Sequence, residues 1–173
     1  RSKNNNMLKK IFGIAPKLEA DGSYSPSKLA LKLGTVKMTD FENITYTKYK
    51  GGKSKILVIF TEQKNMKMQN GKLFSTGNHP IEALLPMLHL KNAGFDFEIA
   101  TPTGKPVVLE MWAFPEKDEH VKAIYDEFKS SFEQPKKLQD FIDTSLTESA
   151  SYAAVFVPGG HGAMLGIPED KNV

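Results

Sequence analysis

Residues 54–60 read SKILVIF, an apolar run that does not alternate and gives way to the polar stretch Thr61 to Gln69. A short run of this kind is the pattern of a strand buried on both faces, as parallel sheets require. It predicts a central strand, with residues 61–69 as a loop over its carboxyl end. Further along, FDFEIA at 95–100 predicts a second parallel strand, and 107–112 a shorter one. Between them, a helix is expected from near Pro80 to Lys91 or Asn92. Pro86 should bend or divide it, and Gly94 should close it. Val121, Ile124, Tyr125, Phe128 and Phe132 recur at the three-and-four spacing of an amphipathic helix over 117–132, which Pro135 ends. Leu138, Phe141 and Ile142 mark another helix, with Leu146 beyond it. Tyr152 to Val157 then reads as a buried strand. Strands alternating with helices predict an α/β fold, a doubly wound sheet over residues 54–173.

Residues 1–53 are rich in Gly, Ser, Asn, Pro and Lys and show little sustained period beyond Leu29 to Leu33. They read as an amino-terminal arm, with Phe41, Ile44, Tyr46 and Tyr49 spaced to anchor an extended segment. The alternative is a loosely attached leader.

The chain has 173 residues, 40% hydrophobic and 25% charged, which suits one domain with a sizeable core. Its 23 basic and 20 acidic residues leave a formal charge of +3, which argues for neither a nucleic-acid partner nor a membrane surface. Cysteine is absent, which excludes disulfides and thiolate zinc sites within these residues. The charged start at Met7 to Lys10 and the apolar residues 11–16 resemble an export signal only briefly, because Lys17 and Glu19 end the run. No apolar run approaches the roughly 20 residues of a membrane span. A cytoplasmic protein is expected.

Two stretches carry candidate chemistry. In NGKLFSTGNHPIEALLP, residues 70–86, Ser75, Thr76 and Asn78 can each cap a helix start and Pro80 suits an early helical position. Glu82 then falls in the first turn, near Ile81, Ala83, Leu84, Leu85 and Leu88. Desolvation by such neighbours would favour the neutral carboxyl and fit it for proton transfer. The plainer reading makes Glu82 a partner of the helix dipole on a solvated face. In YAAVFVPGGHG, residues 152–162, the strand stops at Pro158 and two glycines. Glycines at a strand's carboxyl end let backbone N–H groups approach a ligand, so Gly159 and Gly160 are candidate oxyanion donors. The same residues also read as an ordinary turn. His161 could line the pocket or bond nearby backbone, and His79 could orient the helix start. His79, His89, His120 and His161 show no close ligand pair such as HExxH.

These blocks, with KSKILVIF, AGFDFEIATPTGKP, MWAFPEKDE, QPKKLQDF and YAAVFVPGGHGAMLGIPE, resemble the glyoxalase III and heat-shock chaperone branch of the PfpI-like (class I glutamine amidotransferase-like) superfamily. The resemblance runs from about Lys53 to Val173. It implies a flavodoxin-like sandwich, a homodimer, and a cysteine nucleophile on a strand-to-helix elbow assisted by a histidine and by the glutamate matching Glu82. That cysteine has no counterpart in residues 1–173. We therefore expect this sequence to be the amino-terminal part of a longer protein, with the fold incomplete within it and these residues inactive alone. Some members of the branch carry a metal site of two histidines and a carboxylate. The matching positions are Lys91, Asp96 and Phe128, where only Asp96 keeps a ligand-type side chain, so no metal is expected.

The resemblance implies glutathione-independent conversion of methylglyoxal to lactate (a lyase reaction), together with hydrolytic deglycation, holding-chaperone activity in the same protein and no cofactor. Its partners would be a small α-oxoaldehyde and glycated or unfolded proteins. Two alternatives stand beside it: a stress-induced holding chaperone without catalysis, and a cysteine amidase or peptidase.

Overall fold

The computed structural model describes residues 8–9, 11–144 and 152–173. Its elements in chain order are β1 (Lys17–Leu18), β2 (Tyr24–Ser25), α1 (Lys28–Gly34), β3 (Lys55–Ile59), β4 (Asn65–Lys67), β5 (Leu73–Ser75), α2 (Pro80–Asn92) and β6 (Asp96–Thr101). They continue with α3 (Glu119–Glu133), β7 (Lys136–Lys137), α4 (Leu138–Thr144) and β8 (Tyr152–Phe156). Leu146, Met7 and Lys10 lie outside the described residues.

The main sheet is parallel throughout, in the order β7-β6-β3-β8. Its centre is the apolar run of residues 55–59. Successive side chains of a strand point to opposite faces, and this strand buries both. Ile56, Val58 and Phe60 pack with Ala83, Leu84 and Met87 of α2 and Val121, Ile124 and Phe132 of α3. Leu57 and Ile59 pack on the other face with Leu138 and Phe141 of α4 and with Ile167. Helices therefore cover both faces, the arrangement expected of a doubly wound sheet.

Several expectations are corrected. β8 lies beside β3 as read, but it is not buried: Val155 is 56% exposed and Ala153 and Ala154 are also open. It forms an edge of the described sheet, paired with β3 alone among the described strands. Residues 107–112 make no strand beyond a single bridge from Leu109 to Asn78, because their backbone is drawn to three different partners. Val107 N–H donates to Phe132, Val108 N–H to Thr61, and Glu110 N–H to Asn78, before a short 3-10 helix at Met111–Ala113. Residues 61–69 are not a plain loop either: β4 pairs with β5 in a hairpin whose turn holds Gly71 at φ 76°. The Asn70-Gly71 dipeptide was the available signal. A second sheet, β1-β2-β5-β4, adds strands from residues 17–25 to this hairpin.

The helix cap also differs from the expectation. His79 occupies the N-cap of α2 and its side chain faces the Glu82 N–H, while Thr76 and Asn78 are buried in other work. The Asn78 side chain bonds the backbone of Thr61 and Val108, holding three segments together. Helix α2 is continuous through Pro86, and Gly94, at φ 95°, closes it by donating to Lys91.

Of the proposed anchors, Phe41 packs against His89 and His120, the Tyr46 hydroxyl lies 2.9 Å from His89 Nδ1, and Tyr49 stacks on Phe95. Ile44 is 44% exposed and anchors little. The tightest tie of this segment is Asp118, the N-cap of α3, whose carboxylate accepts from the backbone of His120 and Val121 and from the hydroxyl and N–H of Thr39. Burial alone would push this carboxyl up, but the hydrogen bonds from Thr39, Val121 and His120 outweigh it and hold it below its ordinary value. A depressed carboxyl stabilises the fold above its unfolded value of about 3.9 and loses that contribution as pH falls through the folded one. Asp118→Ala should cost about 0.5–2 kcal/mol at neutral pH, as lost caps do. Denaturant melts should show that difference shrinking below about pH 4.

Among the described residues, no helix is long and apolar enough to cross a membrane.

Candidate active site

Three backbone segments meet where the carboxyl ends of β3 and β8 approach the start of α2. Their contact depends on glycine. A Cβ on Gly77 would stand 2.7 Å from the Val108 carbonyl oxygen, and one on Gly162 would stand 2.7 Å from Gly77 Cα. The segments are stitched by His79 N–H donating to the Gly159 carbonyl and Gly162 N–H to the Gly77 carbonyl, both at 2.9 Å. Gly160 has φ 124°, which side chains disfavour, and a Cβ there would lie 2.3 Å from His79 N. We expect Gly160→Ala to destabilise the fold by at least about 1–3 kcal/mol, the usual cost of such strain, because backbone blocks relief. A thermal melt measures it.

This loop meets Glu82. A Cβ on Gly159 would fall 2.0 Å from Glu82 Oε2, so the carboxylate lies directly over that glycine. The two candidate stretches are thus joined in space. The amides of Gly159 and Gly160 donate to no protein acceptor among the described residues, as a ligand-binding role requires. The environment of Glu82 nevertheless overturns one expectation: it is exposed, not surrounded by apolar side chains. At 100° per residue, the stripe that α2 buries, Ala83, Leu84 and Met87, turns into the core and leaves position 82 on the open side. The desolvating surroundings expected of Glu82 are therefore not there. Its placement against the loop is what remains.

A cleft of about 220 Å³ opens here, lined by His79, Glu82, Glu110, Gly160, His161 and Met164. Glu110 was not anticipated. It sits in the apolar stretch 107–114, where a lone acid is the one visible signal, and its side chain is wholly buried. Its Oε1 accepts from the Thr76 hydroxyl at 3.1 Å and lies 2.9 Å from His161 Nδ1. The His161 ring also packs edge-on to Phe74 and tilted against Trp112, whose indole N–H donates to the Ser75 carbonyl. His161 therefore lines the cleft, held by side chains and not by backbone.

A larger hollow of about 580 Å³ lies between residues 17–23, Lys64 and Trp112. Its charged groups are already paired, Lys64 with Asp21 at 2.8 Å and Lys17 with Glu19 at 3.0 Å. Hydrogen bonds from Lys64 and Ser23 hold the Asp21 carboxyl well below the usual range. Nothing there converges on a reacting atom.

At the positions weighed for a metal, Lys91 pairs with Glu127 and lies over the Phe128 ring, and Asp96 is exposed at the start of β6. No group of three metal-ligating side chains occurs among the described residues.

Comparison with known proteins adds to this geometry. The chain is 50% identical over 152 residues to the "Protein/nucleic acid deglycase HchA" of Pseudomonas aeruginosa (strain LESB58), a match covering 87% of this chain and 52% of that protein. The protein of the same name from Escherichia coli O157:H7 (strain EC4115 / EHEC) is 48% identical over 153 residues, covering 88% and 54%. Among solved structures, glyoxalase III from Candida albicans aligns with TM-score 0.52 and 26% identity over 70% of this chain and 49% of that one. The Francisella tularensis Rapid Encystment Protein, at 18% identity and TM-score 0.54, shares the fold. No protein-family model matches the chain. The chain spans about half the length of the curated relatives it matches. With the α/β architecture and these matches, the chain belongs to the glyoxalase III and heat-shock chaperone branch of the PfpI-like superfamily.

Proposed function

We propose that residues 54–173 supply the glutamate and oxyanion side of a glyoxalase and deglycase site, with the thiol nucleophile contributed from outside residues 1–173. The observation that carries this is the Glu82 carboxylate lying over Gly159, in a chain about half identical to proteins named deglycases. In the proposed reaction a thiolate adds to the aldehyde carbon of methylglyoxal, and the oxyanion formed is met by the free amides of Gly159 and Gly160. Glu82 takes the proton from that carbon and returns one to the neighbouring carbon, giving a lactoyl thioester that water hydrolyses to lactate and thiol. One carbon is oxidised as its neighbour is reduced, so the sequence balances without an external redox partner or cofactor. Lactate formed from methylglyoxal without glutathione tests this. The form to assay is a longer one, in which residues 1–173 are joined to the unmatched remainder of the Pseudomonas relative.

Removal of early glycation adducts from proteins belongs to the same proposal. The relatives' names add nucleic acids, which the near-neutral charge balance did not suggest. Those names favour testing glycated nucleotides as well. A site that acts on a small adduct needs no broad basic surface, so the charge balance is no argument against them.

A second reading, a holding chaperone acting as a cytoplasmic homodimer, draws on the segment that we propose as an arm, residues 1–53. Ile11, Phe12, Leu18, Leu33 and Met38 are each more than 60% exposed there, apolar surface of the kind that unfolded chains or a second copy would cover. Suppression of client aggregation by a form that makes no lactate would favour it.

A further inference from the structure

Glu110 is a buried carboxylate that the proposed reaction does not use. Burying such a group is costly unless it is paired, and here one oxygen holds every side-chain contact while Oε2 has no partner among the described residues. Its backbone is fixed on both sides, by Glu110 N–H donating to Asn78 and by Ala113 N–H donating to the Glu110 carbonyl. The carboxylate cannot drift away from His161.

That contact selects a tautomer. Oε1 already accepts from the Thr76 hydroxyl, and it is an acceptor whether the carboxyl is ionised or carries a proton on Oε2. An Nδ1–H of His161 donating across the 2.9 Å contact is the arrangement that leaves Oε1 its bond from Thr76. Nε2 lies almost opposite Nδ1 on the ring, away from the buried acid, on a side chain that is 51% exposed and lines the cleft with Glu82 and Gly160. In a neutral ring this nitrogen bears a lone pair. Unconstrained histidine favours the other tautomer, which would turn an N–H toward the cleft.

We propose that Glu110 is a positioning residue that fixes His161 as its Nδ1–H tautomer, so that Nε2 accepts a hydrogen bond from a ligand hydroxyl in the Glu82 cleft. This rests on the glyoxalase reading and narrows its substrate. A bare aldehyde offers only acceptor oxygens, whereas a hydrated aldehyde, or the adduct of an aldehyde with a thiol, offers the hydroxyl that Nε2 needs. The site is matched to the hydroxyl-bearing adduct formed once the thiol has added to an α-oxoaldehyde, and the hydrate presents the same hydroxyl without reacting.

The test is a long-range ¹H–¹⁵N correlation spectrum of the ¹⁵N-histidine-labelled chain at a pH where the ring is neutral, with His161 assigned from the His161→Asn spectrum. The expected result is a protonated, pyrrole-type Nδ1 and a bare, pyridine-type Nε2, with Glu110→Leu returning the proton to Nε2. Titration with methylglyoxal, largely hydrated in water, should move Nε2 more than Nδ1. An Nε2–H tautomer in the unaltered chain overturns the proposal, as does an Nδ1–H tautomer that persists in a folded Glu110→Leu. An Nε2 that ignores methylglyoxal overturns the hydroxyl-acceptor role. If Glu110→Leu does not fold, the spectrum of the unaltered chain decides alone. Failure of the glyoxalase reading looks different: the tautomer pattern holds while the longer form makes no lactate.

Discussion

Glu82→Gln in the longer form should lower methylglyoxal turnover on the order of 10²-fold or more, the usual contribution of a positioned acid–base group. The substitution keeps shape and polarity and removes only the exchangeable charge. Folding should hardly respond, because Glu82 is exposed and its one local duty is to sit in the first turn of α2. Loss of a helix-dipole partner there costs about 0.3–1 kcal/mol, which in a domain of this size moves a melting temperature by about 2–4 °C at most. Near-full activity in the variant would make Glu82 a helix-start residue only. The exposure of Glu82 sharpens this experiment, since a stability effect cannot be mistaken for a chemical one.

Residues 1–173 alone should form no lactate from methylglyoxal above the rate of buffer, whereas the longer form should turn it over without glutathione. The reason is chemical: these residues contain no cysteine, and an exposed carboxylate beside free amides has nothing to add to the aldehyde carbon. Loss of a covalent nucleophile removes the intermediate on which the oxyanion donors and the proton shuttle act, so the effect should be nearly complete. A coupled lactate assay on both forms, at equal concentration, measures it. Turnover by residues 1–173 equal to that of the longer form would sink the mechanism. An inactive longer form that still suppresses aggregation would leave the chaperone reading.

The central strand was legible because its signal is compositional: 54–60 is apolar on both faces, and a strand buried on both faces shows no alternation. The amphipathic α3 and the capping of α2 by Gly94 were legible for the same local reason, period and punctuation. Residues 107–112 misled because β-branched, apolar composition records burial and not pairing; three separate backbone partners broke what would have been a ladder. The apolar β8 reads the same way whether it lies inside a sheet or at an edge, so its exposure could not be read from composition.

The sequence by itself determined the doubly wound class, the central strand, Glu82 in the first turn of its helix and a glycine loop ending a strand. Each depends on neighbours within a few residues. Only the tertiary structure decided that the Glu82 carboxylate lies over Gly159 and that its side chain is open where its neighbours suggested burial. The structure alone also brought Glu110, fifty-one positions away in the chain, to within hydrogen-bond reach of His161. Such contacts arise where the carboxyl ends of β3 and β8 meet the start of α2 and from glycines that let backbones touch, and no local pattern encodes which distant segments will meet.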